Sequence, residues 1–488
     1  MTAVQQTLPG SELDALFPFP SLPPNVLSPS RYPGASPEAA VALTYVLKDN
    51  HTKYHIFFNH KRFHNHITHR ALALYVTGAS GSLIEQFYKE DGSYQRPVIE
   101  PAEAVTEENF LKHLGDENFY AAYIGFFSKV MKERGLSATL EDYIFSKRYN
   151  FIEGRDASAQ PVMLARFFGA LFHAFIHVGY GAELGIPGMV VEGLRQTSQG
   201  LALASVHEYE YLPPYLFEPS STTAVEAATA LLASLVLNTK TFTAPPELER
   251  PPNHHAFSIL AKIMQDPKFA PKEIKKYFKD FDGLMSEHGD TLWRYAEQWT
   301  IDLSQPGEIE RKTEECIWTS TVLYSIGGWS KDRGLIADFF FMHLVTSALF
   351  LPPLLPYLCQ DSQVLLLRGY LASTLGWWIA RGFPRLDIQG FLSATSHLSS
   401  DIKVANPFLD IVQSVMTHPN EHMPKIQRAL AHFSSLYGVR PKGYFKDTGL
   451  EGAEALDGSL FLLAARLTEE YMIEGTRPWS QEGYPARK

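Results

Sequence analysis

Residues 166–185 read R-F-F-G-A-L-F-H-A-F-I-H-V-G-Y-G-A-E-L-G. This apolar run without proline predicts a helix. His173 and His177 lie four residues apart in it, so on a helix both imidazoles project from one face. Two imidazoles on one face are half a metal site. The alternative is a pair of core histidines hydrogen-bonded to backbone or water.

Outward from this stretch, helical signals dominate. Ser36-Pro37-Glu38 is a capped start with proline at the first helical position, leading into A-A-V-A-L-T-Y-V-L-K-D-N. The histidine-dense stretch that follows turns helical by Ala71. Ser82 to Ala104 reads as a polar loop, and 107–134 as short helices. A polar connection runs from the opening stretch through Pro213-Pro214 to an Ala-rich helix at 222–237. Beyond it, helices are expected at about 270–300, 306–325, 332–350, 362–381, 406–417, 421–437 and 457–473. No segment alternates β-branched residues between turns, and there is no repeat of fixed period. The expected fold is mostly α, a single large multi-helical domain. A Pro-rich N-terminal arm (1–35) precedes a helical catalytic domain (36–475), with a loop break near 244–256 and a C-terminal tail at 476–488.

Composition narrows the function. The 488 residues carry a net charge of −10, with 20% charged residues. The basic residues are scattered, which excludes a nucleic-acid stripe. Cys316 and Cys359 lack metal-ligand spacing and suit a reducing compartment. The N-terminus has neither a basic region nor a long apolar core, and the apolar segment 335–358 carries Asp338 and His343 before ending at Pro352, Pro353 and Pro356. No membrane span is expected, and the reading is a cytoplasmic protein. Aromatic residues make up 13%, enough for a pocket for a flat ligand. Trp377, Trp378, Phe167 and Tyr180 are candidates for its wall, with plain core as the alternative.

The chemistry concentrates in histidine. Eighteen histidines placed at random would give about one pair at helical spacing, whereas five occur: His51/His55, His60/His64, His66/His69, His173/His177 and His418/His422. His173 and His343 sit inside apolar helices, where an unpartnered imidazole is costly. His422 and Lys425 lie one turn apart in H-P-N-E-H-M-P-K-I-Q-R-A-L. A lysine desolvated beside a cation can lose its proton, and then acts as a base or is carboxylated into an oxygen ligand; the alternative is a solvated helix face. G-x-G-x-x-G after a strand, a Walker A loop, C-x-x-C and G-x-S-x-G are all absent, so no flavin or nicotinamide site is indicated.

Together F-H-N-H-I-T-H with A-L-Y-V-T-G-A, F-H-A-F-I-H-V-G-Y-G-A-E-L-G, D-F-F-F-M-H-L-V-T-S and N-E-H-M-P-K-I-Q-R-A-L resemble the questin oxidase-like family of fungal aromatic polyketide pathways, over about residues 37–473. The resemblance implies an oxygenase that opens the central ring of an anthraquinone-type polyketide with O2. It implies a mononuclear non-haem Fe2+ held by His66, His173, His343, His422 and a carboxylated Lys425. His69 and His177 are expected to support these ligands or wall the pocket, and with Lys425 they form the expected catalytic set. The reducing equivalent is expected from a partner reductase. Members are also called Baeyer-Villiger oxidases that use NADPH, so NADPH-dependent oxygen insertion without bound metal is the alternative enzyme. A helical binding protein with structural histidines or zinc is the non-enzymatic alternative.

Overall fold

Short polar side chains and prolines start the helices. The Ser36 hydroxyl accepts from the Ala39 N–H, with Pro37 in the first turn. Asp338 accepts from Phe340 and Phe341 N–H, and Asn406 precedes Pro407 in the same manner. The structure, a computed structural model, describes residues 10–199, 202–203, 206–207, 211–217, 254–400, 404–473 and 477–484. Its helices are α1 (Gly10–Leu16), α2 (Pro37–Lys53), α3 (Ile67–Val76), α4 (Gly81–Gly92), α5 (Tyr120–Leu140), α6 (Met163–Leu184), α7 (Pro187–Gln199), α8 (Ala256–Gln265) and α9 (Pro271–Ile274). They continue with α10 (Phe281–Gln298), α11 (Glu308–Val322), α12 (Phe339–Ala348), α13 (Leu351–Leu354), α14 (Gln360–Ala380), α15 (Ile388–Ser400), α16 (Pro407–Val415), α17 (Met423–Tyr437) and α18 (Leu460–Tyr471). Among the described residues, strand is confined to two antiparallel pairs, Ala202–Leu203 with Val206–His207 and Trp329–Ser330 with Gly334–Leu335. The fold is a single helical domain around one large apolar core.

The helices depart from the sequence expectations at instructive places. The segment from Ser82, expected as a polar loop, begins inside α4: Ser80 caps it, and Ile84, Phe87 and Tyr88 face the core. The polar connection after Gly185 contains α7. Its Glu192, Arg195, Gln196, Thr197 and Ser198 have the composition of a loop, yet all five are buried. The Pro-rich arm includes a short helix, α1, whose following residue Phe17 is buried against His51 at 5.0 Å between ring centroids. The helix expected from 332 starts at Phe339, because a two-stranded turn occupies 329–335. The Ala-rich stretch 222–237 and most of the 244–256 break lie outside the described residues.

The helix expected at 166–185 exists but is broken inside. Gly169 is extended, and Ala170, Leu171 and Phe172 adopt φ of 43°, 57° and 62°. Left-handed backbone costs about 1–2 kcal/mol for each non-glycine residue, and packing must sustain it, since Leu171 and Phe172 are fully buried. α6 has the length and apolarity of a bilayer span, but 83% of its most apolar window is buried within the protein. Against it lies α7, at a distance set by glycine. A Cβ on Gly181 would stand 2.5 Å from Val190 Cγ2, and one on Gly193 would stand 2.5 Å from Val178 Cγ2 and 2.8 Å from the Val178 nitrogen.

The crossing and the buried histidines can each be tested through stability. Gly193→Ala forces α7 off α6 and costs about 1–3 kcal/mol by overpacking; differential scanning calorimetry should show a lower Tm, and an unchanged Tm would contradict the close crossing. Burial lowers the pKa of His55 to about 3 and of His432 to about 4. The unfolded chain takes up these protons below about pH 6.5, whereas the folded chain resists. Stability is therefore full above that pH and declines as pH falls toward the folded pKa values, by about 2 kcal/mol per histidine at pH 5. The drop in Tm between pH 7.5 and 5.0 should be smaller in His55→Gln/His432→Gln than in the wild type.

Candidate metal centre

Four separated segments deliver the histidines. His66 is the residue at the start of α3, in a turn held by Asn65, whose Oδ1 accepts from the Ile67 N–H (3.0 Å) and whose amide donates to Asn50 Oδ1 (2.8 Å). His173 follows the break in α6. His343 lies in α12, started by Asp338, which also pairs with Arg381 Nη2 at 2.8 Å. His422 is the residue before α17 and makes no side-chain capping bond there; the prolines of H-P-N-E-H-M-P-K bound a tight turn. Asn420 Oδ1 accepts there from the His422 N–H (3.0 Å) and the Trp479 indole N–H (2.9 Å). Arg70 ties the first and last segments together, pairing with Asp91 at 3.0 Å and donating to the His418 carbonyl at 2.8 Å.

The four rings converge in the core. His66, His343 and His422 each offer a ligand atom within 4.8 Å of the other two. His173 joins through its Nε2, 2.9 Å from His66 Nε2, and its ring lies 4.7 Å from that of His343. An oxygen lies close to each Nδ1, as a hydrogen-bond acceptor for His343 and His173 and as a nearby carboxylate for His66 and His422. The His343 Nδ1 donates to the Phe339 carbonyl (2.7 Å), and the His173 Nδ1 to the carbonyl of Ala170, which the left-handed turn aims at it. One Glu421 oxygen lies 3.4 Å from His66 Nδ1 and 3.2 Å from His422 Nδ1. The Nε2 atom of His343 and both ring nitrogens of His422 are buried without a hydrogen-bond partner among the described residues.

The electrostatics favour neutral, ligand-competent groups. Burial pushes His66, His173 and His343 well below the usual imidazole range and His422 to about 4. Lys425, one turn into α17 and 4% exposed, makes no hydrogen bond or ion pair among the described residues. Burial lowers it to about 7, against the opposing charge of Glu421.

His177 shares the face of His173, as the spacing predicts, but points elsewhere. Its Nδ1 lies 2.9 Å from His69 Nε2 and its Nε2 lies 2.7 Å from Glu192 Oε2. His69 sits between this chain and the cluster, its ring 5.8 Å from that of His66. Of the aromatic candidates, only Tyr180 reaches this region, 5.4 Å from His69. Phe167 packs on Phe175, Trp377 stacks on Phe281, and Trp378 donates to the Pro384 carbonyl, so these three are core. His418 bonds to the Met472 carbonyl and holds its own turn.

Several partners have no clear signal in the sequence. Glu421 is visible inside N-E-H, but only the fold shows it reaching two imidazoles. Glu192 and Gln196 lie on α7, whose composition hides it; Gln196 bonds His64, which stacks on His173 at 4.1 Å. Trp479 belongs to the expected tail, yet that segment pairs with the start of α12 through Ser480 N–H to Ala337 (2.9 Å) and Phe339 N–H to Ser480 (2.8 Å).

Comparison with known proteins agrees with the motifs. A Baeyer-Villiger oxidase of Paecilomyces divaricatus is 25% identical over 394 residues, 79% of this chain and 76% of its own length. A questin oxidase of Aspergillus terreus is 22% identical over 430 residues, covering 85% of each chain. A Baeyer-Villiger oxidase of Emericella nidulans is 24% identical over 460 residues, 91% of each. The questin oxidase-like profile matches residues 63–430, a span that holds all four histidines and Lys425, and the chain belongs to that family.

Proposed function

We propose that this protein is an oxidoreductase that cleaves the central ring of an anthraquinone-type aromatic polyketide with O2, using a mononuclear non-haem iron. The supporting observation is the convergence of His66, His173, His343 and His422: His173 and His343 bond outward through Nδ1, His66 and His422 have a Glu421 oxygen beside Nδ1, and ligand atoms of the four rings gather in the core. A metal-binding histidine has this arrangement, because the bond at one nitrogen fixes the lone pair at the other. Two ligands about 2.1 Å from a metal and at right angles lie about 3.0 Å apart, close to the 2.9 Å between the His66 and His173 nitrogens. Lys425 would complete the set. Its neutral amine can add CO2 with loss of a proton, which turns a cationic side chain into an anionic oxygen donor that suits a divalent ion.

When bound, iron at this place would supply activation of O2 toward an electron-rich ring. The chain's own residues do the rest. The Phe339 and Ala170 carbonyls hold His343 and His173 in one tautomer, Glu421 places a carboxylate beside His66 and His422, and the apolar core around them excludes water. His69 and Tyr180 flank the cluster on the α6 side.

The relatives' names favour a second reading, Baeyer-Villiger-type insertion of one oxygen atom. Insertion of one atom of O2 and release of the other as water needs two electrons and two protons. NADPH would provide the electrons, directly or through a partner reductase; cleavage that incorporates both atoms would instead start from a reduced quinone.

Purified protein loaded anaerobically with Fe2+ should hold about one iron per chain, and His343→Ala should lower affinity by at least about 100-fold. Full ring-cleaving activity with NADPH after chelation, in metal-free protein, would support the second reading and sink the first. Lys425→Ala should lose activity and recover part of it on addition of a short carboxylate such as acetate; the same recovery in His343→Ala would contradict the carbamate.

A further inference from the structure

Behind the proposed ligands runs a hydrogen-bonded chain that coordination leaves unexplained. Glu192 is buried on α7. Burial alone would raise its pKa, but hydrogen bonds from His177 and His51 bring it down to about 2. An ionised carboxylate only accepts. It accepts from His51 Nδ1 at 2.6 Å and from His177 Nε2 at 2.7 Å, so both histidines present N–H to it. With its proton on Nε2, a neutral His177 has a lone pair at Nδ1, and that atom lies 2.9 Å from His69 Nε2. His69 then donates from Nε2, and its Nδ1 is left as a bare acceptor.

That Nδ1 is buried and has no hydrogen-bond partner among the described residues. The His69 ring lies 5.8 Å from that of His66, 6.5 Å from that of His173 and 5.4 Å from that of Tyr180, at the edge of the histidine cluster. The glycine-set crossing of α6 and α7 fixes Glu192 opposite His177, so the direction of the chain is built into the helix packing.

We propose that Glu192, acting through His177, holds His69 with a bare Nδ1 that accepts a hydrogen bond from a hydroxyl of a phenolic aromatic substrate at the histidine cluster. This rests on the aromatic polyketide substrate class proposed above. His69 touches the substrate and Glu192 is a positioning residue. Such an acceptor favours a hydroxylated ring over its methyl ether, because the ether leaves a buried lone pair unmatched. The opposite polarity, with a proton on His69 Nδ1, would instead favour a ring carbonyl.

Two readouts on the full-length protein test this. Magic-angle-spinning NMR of histidine-15N-labelled protein, with signals assigned through His69→Asn and His177→Asn, reports which ring nitrogen carries each proton. His69 and His177 should both be protonated on Nε2 in wild type. Glu192→Asp, still an acceptor only, should keep that pattern. Glu192→Gln, whose amide offers an N–H to His177, should disturb it. Dissociation constants for 2-hydroxyanthraquinone and 2-methoxyanthraquinone, measured by fluorescence quenching, give the second readout. This hydroxyl is too far from the ring carbonyls to bond internally.

Wild type should prefer the hydroxyl compound by about tenfold, and the preference should vanish in Glu192→Gln and His69→Phe while surviving in Glu192→Asp. A proton on His69 Nδ1 in wild type, or a preference that persists in Glu192→Gln, would overturn the proposal. Binding of neither quinone would overturn the substrate class on which the proposal rests, and the NMR pattern would then judge the chain separately. Neither readout needs iron, so failure of the iron reading would be seen independently.

Discussion

A neutral imidazole has one N–H and one lone pair, and in an apolar core the N–H must find an acceptor. The centre of this protein depends on that constraint. Four buried histidines meet in a space where no two of them provide for all the others. His173 and His343 satisfy their Nδ1 atoms outward, on backbone carbonyls of their own helices, and the Nδ1 atoms of His66 and His422 lie 3.4 and 3.2 Å from one Glu421 oxygen. The lone pairs on the other side are then directed at one another. That is unfavourable without something between them, and it is the arrangement a divalent cation resolves.

Much of the fold serves that convergence. The proposed ligating positions span residues 66 to 425, and each is held by a local device. Asn65 sets the turn before His66, the Asp338–Arg381 pair anchors the start of α12, and Asn420 joins the turn before His422 to Trp479. The left-handed turn in α6 belongs to the same account. In an unbroken helix the Ala170 carbonyl would point along the axis toward the N–H of Ala174, four residues on. The break instead turns that carbonyl onto the His173 ring. Local strain there is offset by the packing of Phe167, Phe168, Phe172 and Phe175 around it.

The helical class and most helices of the C-terminal half are legible in the sequence because their apolar periodicity and proline starts are strong signals. So is the likeness that singles out His66, His173, His343, His422 and Lys425, since each lies in a distinctive local motif. What stays hidden depends on tertiary contact. α7 reads as a polar connection because Glu192, Arg195 and Gln196 look solvated until the fold encloses them. The break in α6 has no proline to announce it. The two histidines at helical spacing do share a face, yet only the position of α7 separates them into a cluster member and a link to Glu192.

In the proposed function four imidazoles enclose one metal ion. Anomalous diffraction at the iron edge, from crystals of protein loaded with Fe2+ under anaerobic conditions, tests it most directly. A single strong peak is expected among the rings of His66, His173, His343 and His422, with density extending from the Lys425 amine toward it. A peak elsewhere, or no peak between these rings at full iron loading, would contradict it.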